Sequence, residues 1–273
     1  MEIDIDPYLE QQYNARKAIP EHPEFLDSWA RRSEAWRKQS EAALDLSYGN
    51  SARQSLDIFP LTPSESPAPV HVFLHGGYWQ RLSKDSFSFM AEAFNRRGEC
   101  AVIVNYDLCP SVTLAQIVEQ IRSATRWLVK NISRYGGDSG SMRLSGHSAG
   151  GHLAAMLLTT DWSELGLSHA PFQQVNALSG IYDLQPLVPT SINRALQLDE
   201  STARQLSPLF MTPWNPPPSL QCNLLVGGRE SDEYKKQSQQ LLQAWQDSID
   251  IRYRELPESH HFSILDDFLE SGW

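Results

Sequence analysis

Apolar and polar positions along this chain repeat with two different periods, and the switches between them predict an alternating order of elements. Near the N-terminus, "PEFLDSWARRSEAWRKQSEAALDL" sets Phe25, Trp29, Ala35, Trp36, Ala43 and Leu44 among charged residues at spacings close to the helical period. This predicts a helical segment over about 1–45, laid across the body of the protein or near the mouth of a site. Beyond it come short apolar or β-branched runs, "RQSLDIFP", "PVHVFLHGG", "ECAVIVNYD", "SMRLSGH", "QQVNALSG", "QCNLLVGG" and "DIRYREL", several ending in glycine. Such runs predict strands. The stretches "SFSFMAEAFNRRG", "TLAQIVEQIRSATRWLVKNISRYG", "AGGHLAAMLLTTDW" and "EYKKQSQQLLQAWQD" between them predict helices. Strands alternating with helices imply an α/β fold, a mostly parallel central sheet with helices on both faces.

Proline and glycine punctuate this order. "LTPSESPAP" (61–69) reads as a surface loop and "TPWNPPPS" (212–219) as a stiffened connection into a strand. Between 183 and 212, short helical pieces broken by prolines predict a small cap insertion. No internal repeat or low-complexity tract is visible, and 273 residues suit one domain over 1–273. A hydrophobic content of 41% with 21% charged residues describes a globular chain. The net charge of -10 argues against a polyanionic partner, nucleic acid included.

The opening "MEIDIDPYLEQQYN" lacks the basic and apolar regions of a secretory signal, and no run approaches the ~18 apolar residues of a membrane span. A cytoplasmic location without a membrane partner is therefore expected. Cys100, Cys109 and Cys222, odd in number and without paired spacing, fit reduced thiols there. The expected partner is a small-molecule substrate, and a homodimer stays open.

"GHSAGGHLAAM" (146–156) admits two readings of Ser148, helix N-cap or nucleophile. Gly146 to Gly150 match G-x-S-x-G, with a predicted strand before and a predicted helix after. A sharp strand-to-helix turn needs small neighbours, and it lifts the serine hydroxyl clear of the sheet. The amide of Ala149, at the helix start, can then stabilise an oxyanion. "HVFLHGGYWQ" (71–80) adds His75-Gly76-Gly77 at a strand end, a turn type that supplies further oxyanion amides in α/β-hydrolases. Tyr78 and Trp79 follow directly, and at least one of the two rings is expected on the pocket side, where bulky walls leave room for a small acyl group.

"VGGRESDEY" offers Glu230, Asp232 and Glu233 after a predicted strand, and "ELPESHHFSIL" offers His260 and His261 after the last. Serine, acid and histidine in that chain order, each at a strand's C-terminal end, is the α/β-hydrolase arrangement. Four motifs in agreement favour Ser148 as a nucleophile over Ser148 as a cap. Glu230, nearest the strand end, is preferred over Asp232 as the acid, with Asp183 an outsider. His261, which precedes an apolar anchor, is preferred over His260. His147 and His152 are expected to pack rather than react. No metal is expected: HExxH and CxxC are absent, and His71 and His75 on one strand would stand ~13 Å apart at ~3.3 Å per residue. Nucleotide-binding glycine motifs are missing too. No organic cofactor is expected.

Taken together, "HGGYWQ", "GHSAGGHLAAMLLTTDW", "SGIYDLQPLVPTSINRALQL", "VGGRESDEY" and "HHFSIL" resemble the kynurenine formamidase (arylformamidase) family of α/β-hydrolases, from about Tyr13 onward. The resemblance implies Ser148 as nucleophile, Glu230 as acid, His261 as base and Gly76, Gly77 and Ala149 as oxyanion donors. It implies hydrolysis of N-formyl-L-kynurenine to L-kynurenine and formate, without a cofactor. One departure is visible, since animal members carry aspartate where this chain has Glu230. Two rivals remain. A carboxylesterase for short acyl esters or other small amides would use the same residues. A catalytically silent hydrolase fold used for binding is disfavoured by the intact serine, acid and histidine.

Overall fold

The computed structural model describes residues 3–61 and 66–271. Among these, β1 (Ala43–Ser47), β2 (Ser55–Phe59), β3 (Ala68–Leu74), β4 (Cys100–Val104), β5 (Gly137–His147), β6 (Phe172–Leu178), β7 (Gln221–Gly227) and β8 (Asp250–Leu256) form one sheet. Their order across it is β1-β2-β4-β3-β5-β6-β7-β8. The pairs β1 with β2 and β2 with β4 are antiparallel; every pairing from β4 to β8 is parallel.

The helices are α1 (Pro7–Tyr13), α2 (Ala15–Ala18), α3 (His22–Gln39), α4 (Ser88–Arg96), α5 (Leu114–Asn131), α6 (Ala149–Leu158), α7 (Asn193–Leu196), α8 (Glu200–Gln205), α9 (Asp232–Trp245) and α10 (Ile264–Ser271). Successive side chains of a strand point to opposite faces. In β4, Cys100, Val102 and Val104 join the core that contains residues of α5, α6 and α9, while Ala101 and Ile103 join the core of α3, α4 and α10. Both faces are covered, and that is why the central strands read as unbroken apolar runs rather than alternating ones. A capping box between Thr113 and Gln116 starts α5. Every residue of α6 is buried, and its first three, Ala149, Gly150 and Gly151, are small enough to let it lie against the sheet.

Three expectations need adjustment. The helical segment over about 1–45 is corrected at its end: α3 stops at Gln39, and Ala43 and Leu44 belong to β1. The apolar spacing there also suits an edge strand, and the backbone partner offered by β2 decides between the two. The C-terminal helix α10 follows "HHFS" and was not among the predicted elements; it buries Ile264, Leu265 and Phe268. Of the loop expected at 61–69, residues 62–65 lie outside the described residues, and Ala68 and Pro69 already belong to β3. Residues 1–2 of the opening stretch also lie outside them.

Within 183–212, α7, α8 and short turns at Gln185–Leu187 and Pro208–Phe210 are the broken helical pieces read from the prolines. Backbone bonds tie the far end of this segment down, from Leu209 N to Tyr182 O (3.1 Å) and from Trp214 N to Leu158 O at the end of α6 (2.8 Å). Among the described residues no helix is long and apolar enough to cross a membrane.

Candidate active site

Strand β5 runs into α6 through Ser148, whose backbone takes φ 56° and ψ -115°. A non-glycine residue in the left-handed region is uncommon and costs energy. The neighbours make the turn feasible: a Cβ on Gly146 would stand 2.1 Å from the Gly150 carbonyl oxygen, and one on Gly150 would stand 2.0 Å from that of Leu74. Both readings of this serine meet here. Ser148 occupies the N-cap position of α6, yet its hydroxyl makes no capping bond.

Instead, Ser148 Oγ lies 3.1 Å from His261 Nε2. On the other side of the ring, His261 Nδ1 is 2.7 Å from Glu230 Oε2. The consistent tautomer has Nδ1–H donating to the carboxylate and Nε2 accepting from the hydroxyl. Glu230 is fixed in turn, because its Oε1 accepts from the Gly227 amide (2.8 Å) and from the Ser179 hydroxyl. Each group sits just past a parallel strand: Ser148 after β5, Ser179 after β6, Glu230 after β7 and His261 after β8. Sheet order thus gathers residues separated by up to 113 positions.

The other carboxylates lie elsewhere. Asp232 is exposed in the first turn of α9. Glu233 accepts from the hydroxyls of Tyr13 (3.2 Å) and Tyr8 (3.5 Å). Asp183 caps its own turn by accepting from the Gln185 amide. His260 packs edge-on to Phe25.

The histidines near the elbow are neutral and structural. His147 Nε2 donates to the His261 carbonyl oxygen (2.8 Å), and its ring centroid is 4.9 Å from that of His261. Burial, followed by the neighbouring His261, pushes its pKa down to about 3. His152 donates to the Leu206 carbonyl (2.7 Å), and burial lowers its pKa to about 4.

A cavity of about 240 Å³ opens over Ser148 and His261, walled among others by Gly76, Gly77, Tyr78 and, from the N-terminal segment, Arg16 and Trp29. Gly77 has φ +115°, and a Cβ there would stand 2.3 Å from the Arg81 carbonyl oxygen, so glycine is required. Tyr78 and Trp79 also have positive φ. This curl sends their rings to different places. Tyr78 lines the cavity, its hydroxyl donating to Tyr13 O (2.7 Å) and accepting from Ala15 N (3.0 Å). Trp79 is corrected as a substrate contact: it is fully buried in the core, edge-on to His152. The 183–198 segment does not line this cavity, although Ser191 and Ile192 line the one adjoining it.

Residues 56–217 match the family described as BD-FAE, an α/β-hydrolase domain. The chain is 32% identical to kynurenine formamidase of Danio rerio, over 95% of this chain and 87% of that protein. The value for the Salmo salar kynurenine formamidase is 33%, with the same coverage. This chain belongs to the kynurenine formamidase family of α/β-hydrolases. Its structure is similar to that of a Silicibacter sp. tm1040 protein provisionally named a thioesterase, with TM-score 0.83, 31% identity, and 96% and 94% of the two chains covered. An esterase of Pyrobaculum calidifontis, at 17% identity and TM-score 0.68 over 99% and 94% of the two chains, shares the fold. This kynurenine formamidase family member is accordingly an α/β-hydrolase enzyme.

The N-terminal helix, expected near the mouth of a site, does wall the cavity through Trp29, whereas neither Arg16 nor Ser179 on the Glu230 carboxylate was singled out from the sequence. A serine directly after a predicted parallel strand is a signal that could have flagged Ser179. Arg16 carries none, because only the packing of α2 brings it to the cavity.

Proposed function

We propose that this chain is a serine hydrolase that cleaves N-formyl-L-kynurenine to L-kynurenine and formate, a step of tryptophan breakdown. The observation that carries this reading is the unbroken hydrogen-bonded chain Glu230–His261–Ser148, ending at a small cavity. The kinship with formamidases supports the choice of substrate.

His261 Nε2 takes the Ser148 proton as Oγ attacks the formyl carbon, and Glu230 stabilises the imidazolium through Nδ1–H. Negative charge developing on the formyl oxygen meets the amides of Ala149, at the start of α6, and of Gly77, with Gly76 adjacent. The imidazolium then protonates the departing arylamine nitrogen. In the second half, His261 deprotonates a water that attacks the formyl-serine ester, and formate leaves as Ser148 regains its proton. An arylamine is a better leaving group than an alkylamine, so no further machinery is needed at the nitrogen.

The test compares kcat/KM of the purified protein for N-formyl-L-kynurenine with that for 4-nitrophenyl acetate and butyrate. A preference of orders of magnitude for the formamide is expected. Turnover of the nitrophenyl esters alone would instead make the protein a short-acyl esterase with the same reacting groups.

A further inference from the structure

Two arginines stand at the mouth of the Ser148 cavity without a carboxylate partner among the described residues. Arg16 and Arg81 both line that cavity, and both line an adjoining one of about 350 Å³ bounded also by Tyr78, Gln80 and Ser191. Among the described residues, no acidic side chain lines either. In a chain of net charge -10 this local excess of positive charge is unusual.

Arg16 is also held in place. Its Nε–H donates to His22 Nε2 (3.1 Å), and His22 Nδ1–H donates to the Ile19 carbonyl oxygen (2.8 Å). An imidazole acceptor carries no negative charge, so it fixes the guanidinium without cancelling its charge. The His22 ring stacks on Phe262, the residue after His261, with centroids 5.5 Å apart. From the other side, the Tyr78 hydroxyl accepts from the amide of Ala15. Arg16 is thus tied to both sides of the reacting centre while its two Nη groups have no protein partner among the described residues. Arg81 is exposed, and its backbone is drawn against Gly77.

We infer that Arg16, assisted by Arg81, is the receptor for a carboxylate on the leaving-group side of the substrate, so that the enzyme selects anionic aryl amides or esters over neutral ones. This rests on the hydrolase reading of Ser148 and deepens it. A planar guanidinium with both Nη groups free matches a carboxylate in the bidentate manner, which a lysine cannot reproduce. Pre-organisation by His22 and Tyr78 removes much of the ordering cost that an ordinary surface arginine would incur.

The experiment measures kcat/KM for two pairs of compounds. One pair is N-formyl-L-kynurenine and its decarboxylated analogue N-formylkynuramine; the other is 3-(4-acetoxyphenyl)propanoate and its carboxamide. The wild-type protein should favour the carboxylate in at least one pair by roughly 10- to 100-fold, the usual worth of a charge-assisted hydrogen-bonded contact. Arg16→Gln should erase most of that ratio through KM, Arg16→Lys should restore part of it, and Arg81→Gln should lower it less. Turnover of the acetate pair alone, with a carboxylate preference that is lost in Arg16→Gln, would retain the carboxylate receptor and sink the formamidase reading. Absence of a wild-type preference in both pairs, or a ratio untouched in a folded Arg16→Gln protein, would overturn the receptor.

Discussion

Among the described residues, two serine–histidine–glutamate chains have nearly the same geometry. In one, Ser148 Oγ is 3.1 Å from His261 Nε2, and His261 Nδ1 is 2.7 Å from Glu230. In the other, Ser145 Oγ is 2.7 Å from His71 Nε2, and His71 Nδ1 is 2.9 Å from Glu99. Both serines lie within "RLSGHSAGG", three residues apart. What separates them is the surroundings. Ser145 is an interior residue of β5, fully buried, and its oxygen also accepts from Asn176 (3.2 Å). Phe94 stacks on His71 with centroids 3.7 Å apart, filling the space a substrate would need. Glu99 is further engaged by Arg143. Ser148 stands on a strained turn, before a helix N-terminus and beside a cavity. On the proposed reading, the same proton-relay geometry is reactive at Ser148 and inert at Ser145 because only the first has backbone strain, a helix N-terminus and room for a substrate together.

Substitutions can break this comparison, and the largest effect is expected at the elbow. Ser148→Ala should lower kcat by at least ~10⁴-fold, as loss of a triad nucleophile does, with thermal stability retained. Near-normal turnover in that protein would remove Ser148 from the reaction. Glu230→Gln comes next, at roughly 10³- to 10⁴-fold in kcat, because the amide stabilises neither the required tautomer nor the imidazolium. A loss of a few-fold only would mean that Glu230 orients nothing.

Ser145→Ala should do the opposite, leaving kcat intact while costing about 1–3 kcal/mol of stability, since His71 Nε2 would be buried without a partner. Chemical denaturation beside initial rates separates the two outcomes. A drop in kcat with unchanged stability would give the buried chain a role in the reaction.

A separate test, on the buried histidines, sharpens the contrast through pH. Burial lowers the pKa of His71, partly opposed by Glu99, and takes His75 and His152 to about 4 and His147 to about 3. Unfolded histidines bind protons near their ordinary value of about 6.5. Below that pH the unfolded state holds more protons than the folded one, so stability should be fully present above about 6.5 and decline toward 4. His147 should extend the decline toward 3. Denaturation midpoints flat from pH 7 to 4 would contradict the neutral, buried state of these rings.

The sequence by itself determined the α/β order, because parallel strands buried on both faces must be short apolar runs and their connecting helices must be amphipathic. Its small residues around Ser148 were legible for a related reason: at Gly146 and Gly150 a side chain would collide with backbone already required by the fold. Residue types were legible, and pairings only as preferences, Glu230 and His261 among them. Four carboxylates and two histidines remained open in the sequence, and it is the order β5-β6-β7-β8 that brings Glu230 to His261 and leaves Asp232 on the surface. Local periodicity could not tell that Ala43 and Leu44 belong to an edge strand, because their partner β2 is met only in space. Trp79 and Tyr78 are adjacent in the chain, yet the positive φ values of the turn send one ring to the core and the other to the cavity. Arg16 joined the site through the docking of α2, a contact between segments far apart in sequence, to which no pattern within either segment is sensitive.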